Sequence, residues 1–241
     1  MKFSFKTLTA LTAAVAVLLA LPLLAHDAWV DPLGGPDYAV FYGHKVPESY
    51  PAAKVTTLRV LDAQQHFLPY TRTESAQGLR IRPSGQPALF VLDFDNGYWT
   101  KTPADKESRN VRLTSEPAGA ANAGGVGSHP LKFSKTVVRW QPWMFRPVGQ
   151  RFEFVPEAFT GPLRAGQSLR LRLLLDGQPV AGAMVENNSN ETGPRTDATG
   201  MVTVTLVKGI NRLANDLDLA QTADPDATRL SLTAALVFVA E

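Results

Sequence analysis

Apolar and polar residues alternate with a period of two along most of this chain, the pattern of strands with one buried face. Val55, Thr57, Arg59 and Leu61 alternate with Thr56, Leu58 and Val60, and Leu169, Leu171, Leu173 and Leu175 alternate with Arg170 and Arg172. Residues 151–155 repeat the pattern around Phe152 and Phe154, whereas residues 88–94 form a more continuous apolar strand. Further strands are expected at residues 27–31, 38–42, 136–140, 180–186, 201–207 and 230–239. Turn chemistry separates them: Pro32-Leu33-Gly34-Gly35-Pro36-Asp37, Asp176-Gly177 and Asp197-Ala198-Thr199-Gly200. Asn96-Gly97 is a strong hairpin signal. Residues 115–130, rich in Gly, Ala and Ser, read as a mobile loop. No long stretch carries the 3.6-residue period of a helix. A change of composition at Gly161-Pro162-Leu163-Arg164-Ala165-Gly166 marks a domain boundary. The expected fold is therefore all-β, with two consecutive β-sandwich domains of immunoglobulin or transthyretin-like type, residues 26–160 and 161–241.

The first 25 residues break the pattern and read as a secretory signal peptide. Lys2 and Lys6 supply the charged start, an apolar run extends to Leu21, and Ala25 offers a small residue for cleavage. The run is short for a bilayer span and no basic cluster follows it, so no direct membrane anchor is expected. The leader also accounts for the basic balance of the chain. Of 24 Lys and Arg residues two lie in the leader, which leaves 22 basic against 22 acidic side chains in the mature part. That neutrality removes the argument for nucleic acid as a partner. Cysteine is absent. An exported chain without disulfides is held together by its core, and any metal site in it uses nitrogen and oxygen donors.

Cleavage after Ala25 would make His26 the first residue of the mature protein. A terminal histidine offers a metal both its α-amine and its imidazole, and the amine, with a pKa near ~7.7–8, yields its proton to a metal at neutral pH. Cleavage after Leu23 would instead place the histidine third, another amine-terminal arrangement that suits copper or nickel. A hairpin pairing Asp31 with Tyr38 sets His26 across from Gly43, and a one-residue change in its loop sets it opposite His44. Facing residues share one sheet face with Cβ atoms about 5 Å apart. His26 and His44 are the candidate metal ligands. His129, in the Gly-rich segment, is a third candidate if its loop folds over the metal. Asp27 and Glu48 are candidate oxygen donors, and His66 reads as a solvated strand end.

The segments Ala25-His26-Asp27-Ala28-Trp29-Val30, Tyr42-Gly43-His44, Gly97-Tyr98-Trp99 and Lys135-Thr136-Val137-Val138 carry a resemblance. With Gly177-Gln178-Pro179-Val180-Ala181-Gly182-Ala183 and Thr196-Asp197-Ala198-Thr199-Gly200, the chain resembles an exported bacterial family of nickel- and cobalt-uptake accessory proteins, first catalogued as a domain of unknown function. The last two segments resemble carboxypeptidase-regulatory-like sandwiches and speak for fold. The family resemblance implies a periplasmic protein that binds nickel or cobalt, with copper or zinc as further candidates. It also implies service to an outer-membrane receptor or an inner-membrane metal transporter. The ligand role carries over to His26 and His44. Relatives often place a histidine near the sandwich end, where this chain reads Asn211-Arg212-Leu213-Ala214-Asn215-Asp216, with Asp216 as the available oxygen donor.

No Gly-x-Ser-x-Gly elbow, His-Glu-x-x-His helix or phosphate loop occurs, so no catalytic activity is expected. Two other readings stay open. One is a non-catalytic module whose sheet edge or aromatic cluster (Trp140, Trp143, Phe145) recognises a protein or glycan. The other is a terminal-histidine copper oxidase.

Overall fold

A computed structural model describes residues 26–241 apart from Lys45, Ala76, Ala118, Asn122, Glu191 and Thr222. The signal-peptide expectation lies outside the described residues. Fifteen strands follow in order: β1 (Asp27–Gly34), β2 (Asp37–Gly43), β3 (Val55–Leu61), β4 (Tyr70–Ser75), β5 (Gly78–Pro83), β6 (Leu89–Asp95), β7 (Trp99–Lys101), β8 (Val126–Val137), β9 (Phe152–Pro156), β10 (Ser168–Leu175), β11 (Gln178–Pro179), β12 (Glu186–Asn187), β13 (Met201–Thr205), β14 (Gly209–Ala220) and β15 (Arg229–Ala240). The protein is all-β, and only short 3₁₀ turns interrupt the strands among the described residues.

Three sheets stack on one another. The central sheet runs β12-β14-β15-β8-β6-β3, with β7 also paired to β8. Its two faces are both buried because alternate residues of one strand enter different cores. Phe90, Leu92 and Phe94 of β6 meet Val30, Val40, Tyr42, Leu79 and Ile81 of the outer sheet β1-β2-β5-β4. Leu89 and Val91, with Phe133, Leu213, Leu232 and Phe238, meet Phe154, Leu171, Leu173 and Val204 of the second outer sheet, formed by β9, β10, β11 and β13. Burial on two faces is why residues 88–94 read as a continuous apolar run.

The central sheet also crosses the position expected as a domain boundary. β15 pairs in parallel with β8 from Arg229↔Ser128 to Val237↔Thr136, and β9 pairs with β10. The two expected sandwiches therefore exchange strands: the last strand of the chain completes a sheet begun in its first half. Local alternation carries no record of which distant strand is the neighbour.

Smaller differences have local causes. Asn96-Gly97 does not close a hairpin; β6 and β7 both pair with β8, and Asn96 N donates to Pro130 O at 3.0 Å. β8 begins at Val126, inside the segment expected as a loop. The strand expected at residues 180–186 does not form: only Glu186 of that range lies in a named strand, β12, and Met184 makes a single bridge to Arg195. Trp140 packs edge-on against Phe159 and Phe238 at 5.1 and 5.5 Å, so the aromatic cluster serves the core.

Candidate functional site

β1 and β2 pair antiparallel with Asp27 opposite Gly43 and Asp31 opposite Ala39, shifted by one residue from a pairing of Asp31 with Tyr38. A bulge between Pro32 and Gly34, and positive φ at Gly34 and Gly35, take up the difference in the turn. The ladder ends at Asp27–Gly43, with His26 and His44 each one residue beyond it. Gly43 then turns the chain at φ +147°, where an added Cβ would stand 2.2 Å from the carbonyl oxygen of Val46. The turn is closed by Glu48 N donating to Tyr42 O at 2.7 Å. It delivers the Glu48 carboxylate to His26, with Nε2 and Oε1 2.7 Å apart.

His26 stacks on Tyr42, ring centroids 5.3 Å apart, and Tyr42 stacks on Phe94 at 5.1 Å. Lys54 Nζ stands 5.8 Å from the Tyr42 ring and donates to Asn96 Oδ1 at 2.7 Å. Burial pushes the Tyr42 hydroxyl up to about 12, so it stays protonated at any physiological pH. The imidazole is thus held on a rigid aromatic column, and its ring nitrogen faces a carboxylate.

On the other side of the hairpin lies a polar cluster, with Asp27, Lys132 and Thr233 buried and Asp216 at its exposed edge. The Asp216 carboxylate accepts from Thr233 Oγ1 at 2.5 Å, and Lys132 Nζ donates to the same hydroxyl at 3.3 Å. Asp27 is 5% exposed. Its carboxyl is pushed up to about 7, first by burial and then by the charge of Asp216, against the pull of Lys132 and Arg212. Asp216 is raised by burial too, although Lys132, Thr233 and His44 all favour its ionised form. Burial lowers Lys132. Desolvation outweighs pairing here, as expected where each buried ion costs several kcal/mol to dehydrate. Arg212 lies over the Trp29 ring at 3.6 Å, and Trp29 Nε1 donates to Asp31 at 2.7 Å. The one available signal was a lysine within the apolar strand β8.

His44 is half-buried, its carbonyl accepts from Ser189 Oγ at 3.3 Å, and it lies near enough to Asp216 to act on its charge. The structure therefore brings His26 and His44 to one end of the hairpin, with Glu48 on one of them and Asp216 near the other.

His129 is placed elsewhere. It sits within β8 and not in a loop, where Nε2 lies 2.8 Å from Asp95 Oδ1 and the ring stacks on Tyr98 at 4.3 Å. By strand alternation it shares a face of the central sheet with Leu131 and Phe133. His26 stacks on a column that rises from Phe94, on the opposite face. His66 projects into solvent from a turn whose Asp62 Oδ1 accepts from Gln64 N and His66 N, each at 2.8 Å. Among the described residues no three His, Asp or Glu side chains converge closely enough to hold a metal by themselves. A metal at the hairpin end would need a further donor, and the free α-amine of a chain starting at His26 is one. The available donors, imidazole, carboxylate and amine, suit nickel, cobalt, copper(II) or zinc.

A family model described as "Domain of unknown function (DUF4198)" matches residues 23–213, and the chain belongs to that family. It is also similar to an uncharacterized protein of Haemophilus influenzae, 26% identical over 218 residues that cover 90% of this chain and 91% of the relative.

Proposed function

We propose that this member of the family is an exported metal-binding protein without turnover, whose cargo is a divalent transition metal. Nickel or cobalt comes first, copper or zinc second. The observation that carries the reading is the register of β1 and β2, whose last pair, Asp27 opposite Gly43, leaves His26 and His44 each one residue beyond it at the hairpin end. Support comes from the carboxylate that meets His26 at 2.7 Å, which sets an oxygen donor beside the imidazole nitrogen. The His26 amine and imidazole, His44 and Glu48 would hold the metal, with the Asp216 carboxylate near enough to His44 to interact with its charge. The proposed setting is the periplasm, where an outer-membrane receptor or an inner-membrane transporter would take up the metal. The regulatory-like segment, residues 161–241, would then serve packing and docking.

Calorimetric titration with Ni, Co, Cu and Zn tests this on protein beginning at His26, beside a version with one alanine added before it. One equivalent of metal should bind, and the added alanine and His44→Ala should each weaken it at least tenfold. Absence of binding by both versions would sink the reading. Binding that survives the alanine but not His44→Ala would remove the terminal amine from the site.

A further inference from the structure

The free edge of β13 offers a second and separate site. β13 pairs with β10 through Leu169↔Val204 and Leu171↔Val202, and among the described residues no strand pairs with its other edge. The hydrogen bonds at both ends of this ladder set its phase. Leu173 N donates to Gly200 O, and Leu206 N donates to Gln167 O, each at 2.9 Å. Bonded pairs alternate along an antiparallel ladder, so Val202 and Val204 direct their backbone groups to β10, and Thr203 and Thr205 direct theirs away. The outward groups of Met201 are already used: its carbonyl accepts from Asp197 N at 2.8 Å, and its N–H donates to Asp197 Oδ1 at 3.0 Å. Among the described residues two N–H and two C=O groups remain, spaced two residues apart, which is the spacing an added strand matches.

These groups line a recess of about 360 Å³ that also includes Asn187, Asn190, Thr192 and Val207. That volume lies within the range of ligand clefts, about 300–1,000 Å³. No charged side chain is among the described lining residues. Asn187 donates through Nδ2 to Asn211, while its Oδ1 is buried with no hydrogen-bond partner among the described residues, an acceptor awaiting a donor. The far wall is firm: Val185 N donates to Pro194 O at 2.8 Å, and a Cβ on Gly193 would stand 1.8 Å from Val185 O. An added strand would lie between this wall and β13. Edge strands are ordinarily blunted by Lys, Pro or a bulge. Met201-Val202-Thr203-Val204-Thr205 carries no charge and no proline.

We propose that the β13 edge docks an extended, uncharged polypeptide segment of a partner protein, which adds as a strand through the backbone of Thr203 and Thr205. Affinity would come from main-chain pairing, and the hydroxyl and amide lining would select against charge. This site is independent of the metal reading, because it shares no residue with the hairpin end.

The test uses the full chain and the probe acetyl-Thr-Val-Thr-Val-Thr-amide, with amide exchange followed by NMR. The Thr203 and Thr205 amides should exchange rapidly in free protein and at least tenfold more slowly with the peptide. The same peptide N-methylated at alternate residues should give no protection. Thr205→Lys, at an exposed position, should weaken binding at least tenfold with an unchanged melting temperature. Equal binding of the N-methylated peptide, or no protection at millimolar peptide, would overturn the proposal. So would amides already protected in the free monomer. Protection that appears with protein concentration and dimerisation alone would make a second copy the occupant and overturn it as well.

Discussion

At the scale of the residue, Asp27 shows how burial decides chemistry that composition leaves open. Its neighbour His26 reaches the hairpin surface, while Asp27 turns inward toward Asp216, Lys132 and Arg212. Burial raises its folded-state pKa from 3.8 to about 7, so the folded protein holds the proton more tightly than the unfolded chain does. The stabilisation this confers is complete below about pH 3.8 and is lost as pH rises through about 7. One proton corresponds to a slope of up to ~1.4 kcal/mol per pH unit. With a chelator present to exclude metal, urea unfolding of the wild type minus Asp27→Asn should therefore lose stability steadily from pH 4 to pH 7. A difference that stays level across that range would mean that Asp27 is ionised throughout. Asp27 was legible as a candidate carboxylate. That its partner is Asp216, almost two hundred residues away, was not.

At the scale of the element, the β1–β2 hairpin is the most legible part of the site and also the most sensitive to register. The turn residues and flanking alternation identify two strands, but a shift of one residue decides whether His26 faces Gly43 or His44. The bulge between Pro32 and Gly34 sets Asp27, and not His26, opposite Gly43. The hairpin is also tied down at its free edge, where Val30, fully buried, donates its N–H to Thr136 Oγ1 of β8 at 3.2 Å. Thr136→Val keeps the shape and strands that N–H, at a cost of about 1–3 kcal/mol. Urea unfolding should show this loss, and Thr136→Ser should recover most of it; a neutral Thr136→Val would show that the hydroxyl holds nothing. Strands that sequence reading passed over failed for two reasons. β4 is exposed along nearly its whole length, so Thr71-Arg72-Thr73-Glu74 has no apolar face to reveal it. β14 mixes Asn211 and Asn215 into its buried positions, which hides the alternation. β5 did carry a signal, in Leu79 and Ile81 between Arg80 and Arg82.

At the scale of the whole molecule, exchange of strands between the two halves joins them. β15 lies between β14 and β8, and Leu232, Ala234, Leu236 and Phe238 share one core with Phe133 and Phe154. Calorimetry should therefore show one cooperative unfolding transition. A chain ended at residue 160 should fail to give a native, cooperatively melting protein, because β8 loses β15 from one edge and the core loses one wall. Two resolved transitions, or a stable fragment 26–160, would restore the picture of two independent sandwiches.

By itself the sequence determined the all-β class, the positions of β3, β10 and β15 to within a residue or two, the nitrogen and oxygen character of any metal donors, and the prominence of His26 and His44. All of these follow from local patterns: a period of two, turn residues and the absence of cysteine. Tertiary structure alone decided that β15 completes the first-half sheet, that His129 lies across that sheet from His26, and that the charges of Asp27 and Asp216 act on each other. It also left β13 with an open edge. These depend on which distant segments meet, and pairing between strands a hundred residues apart is governed by the complementarity of whole faces, which no window along the chain contains.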